Sequence, residues 1–317
     1  MDHFKAIIGQ SPALDALIRS ARIAAATDVT ILLNGETGTG KEVLAKAIQK
    51  SSPRARKPFI TLNCAALPES LIESELFGHR KGSFTGATGN TDGLFQAAHG
   101  GTLFLDEINS LPVSIQAKLL RFIESGECLA VGDTEPYTVD VRIIAASNSD
   151  LNLQIAEGSF RRDLYYRLNI VPLNLPPLSQ RIGDMELLIK HFMKKFEHEH
   201  DLISPLFSNN ALKALKAYSW PGNIRELRNL CERVCILLAG RIIEPENLPL
   251  EFNIHPNVNL PQFTLPPAGL DLDKLEASLI QQALALTKGN RSKSANLLCL
   301  TRDTLRYRMR KHGFVAH

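Results

Sequence analysis

The feature that most constrains the fold of this sequence is a glycine-rich segment, residues 35–42, between the apolar run 29–33 and a helical pattern over 42–50. A turn of this kind between a strand and a helix points several backbone N–H groups at one phosphate chain. Gly35 and Gly40 permit the tight turn, and Gly38 permits close approach of the backbone to a ligand. Lys41 adds a positive charge near the β and γ phosphates. The segment therefore predicts an ATP-binding P-loop, whose residues are Gly35, Glu36, Thr37, Gly38, Thr39, Gly40, Lys41 and Glu42.

Two adjacent acids at the end of an apolar run indicate hydrolysis as well as binding. Asp106 and Glu107 follow residues 103–105, a predicted strand, and neighbouring side chains of a strand point in opposite directions. The carboxylates can therefore do different jobs: Asp106 would hold Mg²⁺, directly or through water, and Glu107 would act as general base on the attacking water. Solvated acid pairs are common, but a pair that closes a buried strand in a P-loop protein favours catalysis. Since Glu42 replaces the usual hydroxyl residue, phosphates, water and Asp106 are expected to hold the ion.

Alternating strand and helix patterns predict an α/β fold, a mostly parallel sheet with helices on both faces. The predicted strands are residues 29–33, 59–62, 103–105 and 139–145, with helical patterns such as 42–50 and 113–125 between them. Strand signals stop at about Pro177, and helical patterns follow at residues 183–200, 209–217 and 223–239. We therefore predict an α/β domain over 1–177, a helical subdomain over 178–250, a proline-containing linker over 251–269 and a helical domain over 270–317.

Composition excludes several classes of protein. Hydrophobic residues make up 44% of the chain and charged residues 22%, as in a soluble globular protein. No apolar run reaches the roughly 18 residues that span a bilayer, and the N-terminus lacks the apolar region of a signal peptide. The five cysteines form no CxxC pair, so neither a zinc site nor a disulfide framework is indicated, and Cys231 and Cys235 fit plain helix packing. We expect a cytoplasmic protein without membrane contact.

The C-terminal segment carries most of the positive charge. From Lys288 onward there are eight basic residues and one acid, Asp303, so this segment carries +7 whereas the whole chain carries +3. An acidic body with a basic tail favours contact with a polyanion. A solvated basic helix has the same composition, so charge alone leaves both interpretations open.

A glycine-bounded loop with one aromatic residue lies between the two nucleotide motifs. It resembles the signature loop Gly-Ala-Phe-Thr-Gly-Ala of the bacterial enhancer-binding proteins, the AAA+ activators of sigma-54 RNA polymerase. The resemblance implies that Phe84 and Thr85 contact the sigma factor, while Ser83 replaces the family's alanine. The implied sigma-factor-binding residues are Gly82, Ser83, Phe84, Thr85, Gly86 and Ala87.

The same resemblance extends from about residue 8 to the C-terminus and implies roles for residues around the nucleotide. The family's P-loop commonly ends in Lys-Glu, which fits Glu42. Asn63 matches the asparagine that holds the catalytic glutamate, here Glu107. Asn148 ends a predicted strand at the place of the first nucleotide sensor, and Arg225 matches the second sensor, in the helical lid.

Two arginines match the arginine fingers of the family. These are Arg161 and Arg167, which the resemblance assigns to the phosphate bound by a neighbouring subunit. Considered without the family, both would be interpreted as ordinary surface or ion-pair residues.

The segment 290–314 resembles a Fis-type helix-turn-helix, with predicted helices over 292–298 and 302–311. The start of the second helix normally meets base edges in the major groove, and later basic residues are better placed on phosphates. The implied base-reading residues are Thr301, Arg302, Thr304 and Arg306, and the implied phosphate contacts are Arg308, Arg310 and Lys311. An apolar stripe over 272–286 is expected to pair two such modules. The alternative is a basic helix that only packs against the body.

Taken together, the resemblance implies an AAA+ P-loop ATPase with a helical lid and a helix-turn-helix domain, of the kind without an N-terminal regulatory domain. Such a protein binds enhancer DNA as a dimer and assembles into a ring, expected to be a hexamer as in the family. ATP hydrolysis then opens the promoter complex of the sigma-54 RNA polymerase holoenzyme. Two alternatives stay open: a DNA-tethered AAA+ ATPase that remodels a different partner, and a repressor with a vestigial ATPase, against which the full catalytic set argues.

Overall fold

The computed structural model describes residues 2–83, 88–249, 252, 270–298 and 300–314. The chain divides into two compact units, Met1–Pro256 and Asn257–His317. This division falls inside the predicted linker 251–269. The predicted boundary between the ATPase and lid subdomains, at 177–178, lies within the first unit and stays a prediction.

The first unit is built on a parallel sheet whose carboxyl edge gathers polar side chains. Its five strands are β1 (Ile31–Asn34), β2 (Phe59–Asn63), β3 (Thr102–Asp106), β6 (Arg142–Ser147) and β7 (Val171–Asn174), and a separate hairpin consists of β4 (Glu127–Cys128) and β5 (Tyr137–Thr138). The order across the sheet is β2-β3-β6-β1-β7. The register places Asn63 beside Asp106 and Asn34 beside Ser147. Ligands of open parallel sheets bind at this edge.

The four predicted strands are confirmed, with shifts at their ends, but β7 was not predicted. Its second residue is Pro172, which has no N–H group and is therefore found in strands at the edge of a sheet. β7 does lie at the edge, beside β1. The predicted strand 139–145 began too early, because residues 139–141 connect the hairpin strand β5 to β6, which runs from Arg142 to Ser147.

Helices cover both faces of the sheet, as predicted. They are α1 (Pro12–Ala25), α2 (Lys41–Lys50), α3 (Glu69–Phe77), α4 (Leu94–Ala97), α5 (Val113–Ser125), α6 (Leu151–Ala156) and α7 (Arg162–Leu168). Side chains of β1 alternate between two hydrophobic cores: Ile31 and Leu33 pack with α1 and α2, and Leu32 packs with α3, α5 and α7. This double burial explains why the strands read as continuous apolar runs.

The remainder of the first unit is mainly helical. Its helices are α8 (Met185–His200), α9 (Asn209–Ala217) and α10 (Asn223–Leu237), packed around the fully buried Trp220. The expectation that strands end near Pro177 was wrong, since β8 (Leu206–Phe207) and β9 (Ile242–Ile243) pair in parallel. A strand of two residues is too short to show the alternation of apolar and polar residues that indicates a strand in a sequence. The predicted helix packing of Cys231 and Cys235 is confirmed, because both are buried on α10.

The second unit contains three helices, α11 (Leu272–Leu286), α12 (Arg291–Leu297) and α13 (Arg302–Lys311). Side chains of Asp271, Asn290 and Thr301 cap their N-termini. Ile280, Ala295, Leu305 and Met309 form the core, with Leu298 and Leu300 packed against it. Among the described residues, none of the helices combines the length and the apolar character that crossing a bilayer requires.

Candidate functional site

The glycine-rich segment forms a tight turn between β1 and α2. Gly40 has φ +103° at the N-cap position of α2, a conformation that favours glycine. Lys41 is 7% exposed, and its ammonium group donates hydrogen bonds to the carbonyls of Gly35 (2.7 Å) and Glu36 (3.1 Å). Burial lowers the pKa of Lys41, and the carboxylates of Asp106 and Glu107 oppose that shift. The P-loop lysine therefore lies close to both acids.

The acid pair leaves the sheet through an unusual backbone conformation. Asp106 ends β3, and Glu107 follows with φ +53° and ψ +47°, in the left-handed region that glutamate seldom occupies. The Glu107 N–H donates to Asp106 Oδ1 at 3.0 Å. Such strain costs about 1–3 kcal/mol and is found where a function requires it. The turn directs the Glu107 side chain away from the strand and toward Asn148.

Asn148 connects the P-loop with the acid pair. Its amide nitrogen lies 3.3 Å from Thr37 Oγ1 and 3.4 Å from Glu107 Oε1. The resemblance implies that Asn63 holds Glu107, but the structure shows a different contact. The Asn63 Oδ1 accepts a hydrogen bond from the Ala65 N–H at 2.9 Å. In this conformation the amide that faces Glu107 is that of Asn148.

Glu42, the residue that closes the P-loop motif, directs its side chain outward. The carboxylate forms an ion pair with Lys46 at 2.5 Å, one turn along α2, and both side chains are more than half exposed. Its contribution to a phosphate site is therefore limited to its backbone N–H, one of the unpaired groups at the start of the helix.

The lid helix α10 begins directly on the P-loop. The Gly38 carbonyl accepts hydrogen bonds from the N–H groups of Ile224 (3.0 Å) and Arg225 (3.3 Å). Asn223 is fully buried, with φ +51°; its amide donates to Glu36 Oε2 (2.9 Å) and to the Thr37 carbonyl (3.2 Å). Asn223 is a reasonable helix-start residue in the sequence, but its contacts with the P-loop were not predicted. These bonds place Arg225 beside the phosphate cradle.

An apolar cavity of about 190 Å³ adjoins the P-loop, and it was not predicted. The N-terminal segment, α2, the connection to the lid and the lid helices all contribute to its walls. The polar residues in this wall are Thr39, His191 and the buried Arg181, whose Nη2 donates to the Thr39 carbonyl at 3.1 Å. Representative apolar lining residues are Ile7, Ile8, Val43, Leu188 and Ile224.

The two arginines assigned as fingers lie on the surface around α7. Arg161 forms an ion pair with Asp163 at 2.6 Å, which lowers the pKa of that carboxyl group. Arg167 forms an ion pair with Glu124 of α5 at 3.1 Å. Neither guanidinium is hydrogen-bonded to the phosphate cradle of its own chain in the described structure.

Residues Phe84, Thr85, Gly86 and Ala87 of the signature loop lie outside the described residues. The base of the loop is described and is tied to the connection between β4 and β5. The Arg80 N–H donates to the Val131 carbonyl at 3.0 Å, and the Arg80 side chain pairs with Asp133 at 2.6 Å. At Gly132, a Cβ atom would lie 2.7 Å from the Cβ of Ser83. Ser83 therefore leaves no room for a side chain at residue 132.

In the second unit, the basic residues of α13 divide between two faces. Arg308 and Lys311 face α11, where Arg308 pairs with Glu276 and Lys311 pairs with Asp273. Their expected role as phosphate contacts stays a prediction, and in this structure both charges are engaged by acids of α11. The exposed basic residues on the other face are Arg302, Arg306 and Arg310.

Comparison with known proteins assigns three family domains along the chain. Residues 7–174 match the family of the Sigma-54 interaction domain, and residues 179–261 match that of the AAA+ ATPase lid domain. Residues 271–312 match the family described as "Bacterial regulatory protein, Fis family". The regulatory protein AtoC of Escherichia coli (strain K12) is 44% identical over 314 residues, which cover 97% of this chain and 68% of AtoC. The transcriptional regulator NtrC of Rhizobium meliloti is 43% identical over 337 residues, 97% of this chain and 69% of NtrC.

A solved structure shares the fold along nearly the whole chain. The crystal structure of NtrX from Brucella abortus in complex with ATP superimposes with a TM-score of 0.73 at 33% identity. The match covers 97% of this chain and 69% of NtrX.

Proposed function

The chain belongs to the sigma-54-dependent transcriptional activators, DNA-binding AAA+ ATPases, and from this premise we propose how its residues divide the work. One edge of the sheet would bind and hydrolyse ATP, the loop over 82–87 would engage the sigma factor, and the C-terminal unit would bind enhancer DNA. The observation that carries the proposal is the convergence of Lys41, Glu107, Asn148 and Arg225 around one P-loop. These residues come from four separate parts of the chain and meet at the carboxyl edge of one sheet, which is where ligands of open parallel sheets bind.

The triphosphate of ATP would lie on the P-loop and its base in the neighbouring cavity. Backbone N–H groups at the start of α2 and the ammonium group of Lys41 supply the positive potential for phosphates. The cavity is apolar and adjoins Gly40, which fits a flat heteroaromatic base at the distal end of the nucleotide. Binding between the N-terminal segment, the P-loop and the lid would make lid position depend on the nucleotide.

Asp106 fits a Mg²⁺ site better than Glu42 does. One Asp106 oxygen accepts a hydrogen bond from the Glu107 N–H, and carboxylate oxygens are preferred Mg²⁺ ligands. Because Glu42 pairs with Lys46 on the outside of α2, Asp106 would hold the ion, directly or through water, together with the phosphates. Bound Mg²⁺ neutralises charge on the phosphate oxygens.

Glu107 is the proposed general base, and Asn148 would hold its carboxylate in position. The 3.4 Å approach of the Asn148 amide to Glu107 Oε1 supports this pairing, while Asn63 would act only after a change of rotamer. Arg225, whose backbone is bonded to Gly38, would report the nucleotide state to the lid.

Arg161 and Arg167 would complete the site of a neighbouring subunit in a ring, which we propose to be a hexamer. Their guanidinium groups are bonded to exposed acids rather than to the cradle of their own chain, which supports a role in trans. Exposed ion pairs are worth about 0–1 kcal/mol, so a phosphate on the next subunit can displace these acids.

The sigma-factor assignment is tested by replacing Thr85 with alanine. We expect ATP-dependent open-complex formation by the sigma-54 holoenzyme to fall to background, whereas ATP hydrolysis stays within about twofold, because Thr85 belongs to neither the P-loop motif nor the acid pair in the sequence. The measurement pairs a promoter-melting assay with phosphate release. Thr88→Ala, an exposed threonine three residues along, is the matched control and should preserve both activities.

Equal open-complex formation by the Thr85→Ala and wild-type proteins would contradict the assignment of the loop. If the wild-type ring hydrolyses ATP but never melts a sigma-54 promoter, the remodelling partner is a different one.

The DNA-binding unit is proposed to act as a dimer. Leu272, Leu279 and Leu286 lie seven residues apart on α11 and are 74%, 45% and 79% exposed. This heptad spacing forms an apolar seam that a second copy of α11 would cover. The neighbouring Ile280 and Ala283 instead face the core of the unit itself.

Replacing Arg306 should weaken DNA binding, whereas replacing Arg308 should not weaken it to the same degree. Arg306 is exposed near the start of α13, and Arg308 pairs with Glu276. We expect Arg306→Ala to cost about 1–3 kcal/mol of binding free energy on a cognate site. Arg308→Ala should mainly lower the melting temperature of the C-terminal unit. Titrations of a labelled enhancer at several salt concentrations measure the first effect, and an equal loss in both variants would refute this division.

A further inference from the structure

A single helix, α5, connects the proposed general base of one subunit, Glu107, with both of its finger arginines. The chain runs from Glu107 through the short 3₁₀ turn Ile108–Ser110 into α5. At the other side, α5 packs against α7: Ile115 and Leu119 share a core with Leu164 and Leu168. Movement of the turn after Glu107 can therefore reach α7 through one packed block.

Gln116 is the polar contact at the centre of this block. It lies in the first turn of α5 and is completely buried. Its amide nitrogen donates to the carbonyls of Leu111 (2.8 Å) and Ser159 (3.0 Å), using both hydrogens. Its Oε1 accepts a hydrogen bond from the Arg161 N–H at 2.8 Å. One side chain thus joins the end of the Glu107 turn to the backbone of the finger residue.

The Arg161 backbone depends on this contact. Arg161 is the N-cap residue of α7, and its own side chain makes no capping hydrogen bond. Without Gln116, its N–H group and the carbonyls of Leu111 and Ser159 would lose a partner inside the protein. Buried polar groups seldom stay unpaired, so the segment would have to shift to find other partners.

We propose that Gln116 is a positioning residue that sets Arg161 according to the state of the Glu107 turn, and so couples each ATP site to the finger acting on the next subunit. The proposal rests on the trans role of Arg161 proposed above. The hydrogen bonds of the Gln116 side chain all go to backbone groups, so it acts through the Arg161 backbone.

Mixed rings separate this role from a structural role in the subunit's own site. Subunits carrying Glu107→Gln, which are expected not to hydrolyse ATP, are assembled in excess with a minority of wild-type subunits. Most wild-type sites then receive their finger from a Glu107→Gln neighbour. Gln116→Met is then added to the Glu107→Gln subunits only. We expect turnover per wild-type subunit to fall about tenfold with the KM for ATP unchanged within about twofold, since displacing a catalytic group by an ångström can cost about a hundredfold.

Two further rings make the result interpretable. Arg161→Ala in the Glu107→Gln subunits should lower turnover at least as much as Gln116→Met does. Gln154→Met is the matched control, because Gln154 lies on the neighbouring α6 and its side-chain oxygen has no partner among the described residues; it should leave turnover unchanged. Mixing and ring size are verified by native mass spectrometry.

Unchanged turnover with Gln116→Met, alongside a loss with Arg161→Ala, would overturn the role of Gln116 and keep the trans finger. Unchanged turnover with both would overturn the trans finger and, with it, the role of Gln116. If Gln116→Met subunits fail to assemble, Gln116→His replaces them in the same rings. Its imidazole retains one donor and one acceptor, so a smaller loss, with KM still unchanged, is expected.

Discussion

Replacing Glu107 by glutamine should lower ATP hydrolysis by about a hundredfold or more while ATP remains bound. The amide has the shape of the carboxylate, so contact with Asn148, 3.4 Å away in the native protein, can persist through its carbonyl oxygen. The amide cannot, however, accept a proton from the attacking water. Lys41 and the P-loop backbone are untouched by the change, so affinity for the nucleotide should stay within about threefold.

Phosphate release under saturating ATP measures the first effect, and titration with a fluorescent ATP analogue measures the second. Glu157→Gln is the matched control, because Glu157 is an exposed glutamate after α6, away from the acid pair, and this variant should hydrolyse ATP like the wild type. The Glu107→Gln protein should also remain bound to the sigma-54 holoenzyme for longer, since it cannot leave the ATP state. Hydrolysis within threefold of the wild type would assign the base to another residue.

Contiguous motifs explain why so much of this site could be predicted. The P-loop and the acid pair each occupy a few adjacent residues, and the chemistry of each motif follows from its position between a strand and a helix. The parallel sheet then brings the carboxyl ends of β1, β3 and β6 together. Asn148 joins this group because β6 lies between the other two strands.

Features built from distant segments could not be predicted in the same way. The apolar cavity takes its walls from the N-terminal segment, α2 and the lid, and no one of these carries a signal for a base. For Arg308 and Lys311, the sequence reveals their charge but not that they face α11. Their partners Glu276 and Asp273 lie more than thirty residues earlier, on α11.

Gly38 has a second requirement for glycine, which the sequence does not reveal. The sequence explains this glycine by close approach of the backbone to a ligand. The structure adds a second constraint: a Cβ at Gly38 would lie 2.3 Å from the Gly222 carbonyl oxygen and 3.1 Å from Arg225 Cβ. Both atoms belong to the lid, so the requirement for glycine comes from a segment more than 180 residues away.

Replacing Gly38 by alanine should therefore weaken ATP binding about a hundredfold, because the P-loop or the lid must move by about an ångström to relieve the contact. Moving either would strain the bonds from the Ile224 and Arg225 N–H groups to the Gly38 carbonyl. Gly158→Ala is the matched control: its φ is +77° against +82° at Gly38, but no atom lies within 4 Å of its new Cβ. Both variants bear the backbone strain of about 1–2 kcal/mol, and the control should keep its affinity for ATP. Isothermal titration with ATP under conditions that prevent turnover compares the two. Equal affinities would mean that the junction of P-loop and lid tolerates a methyl group, and that Arg225 is not held in place by Gly38.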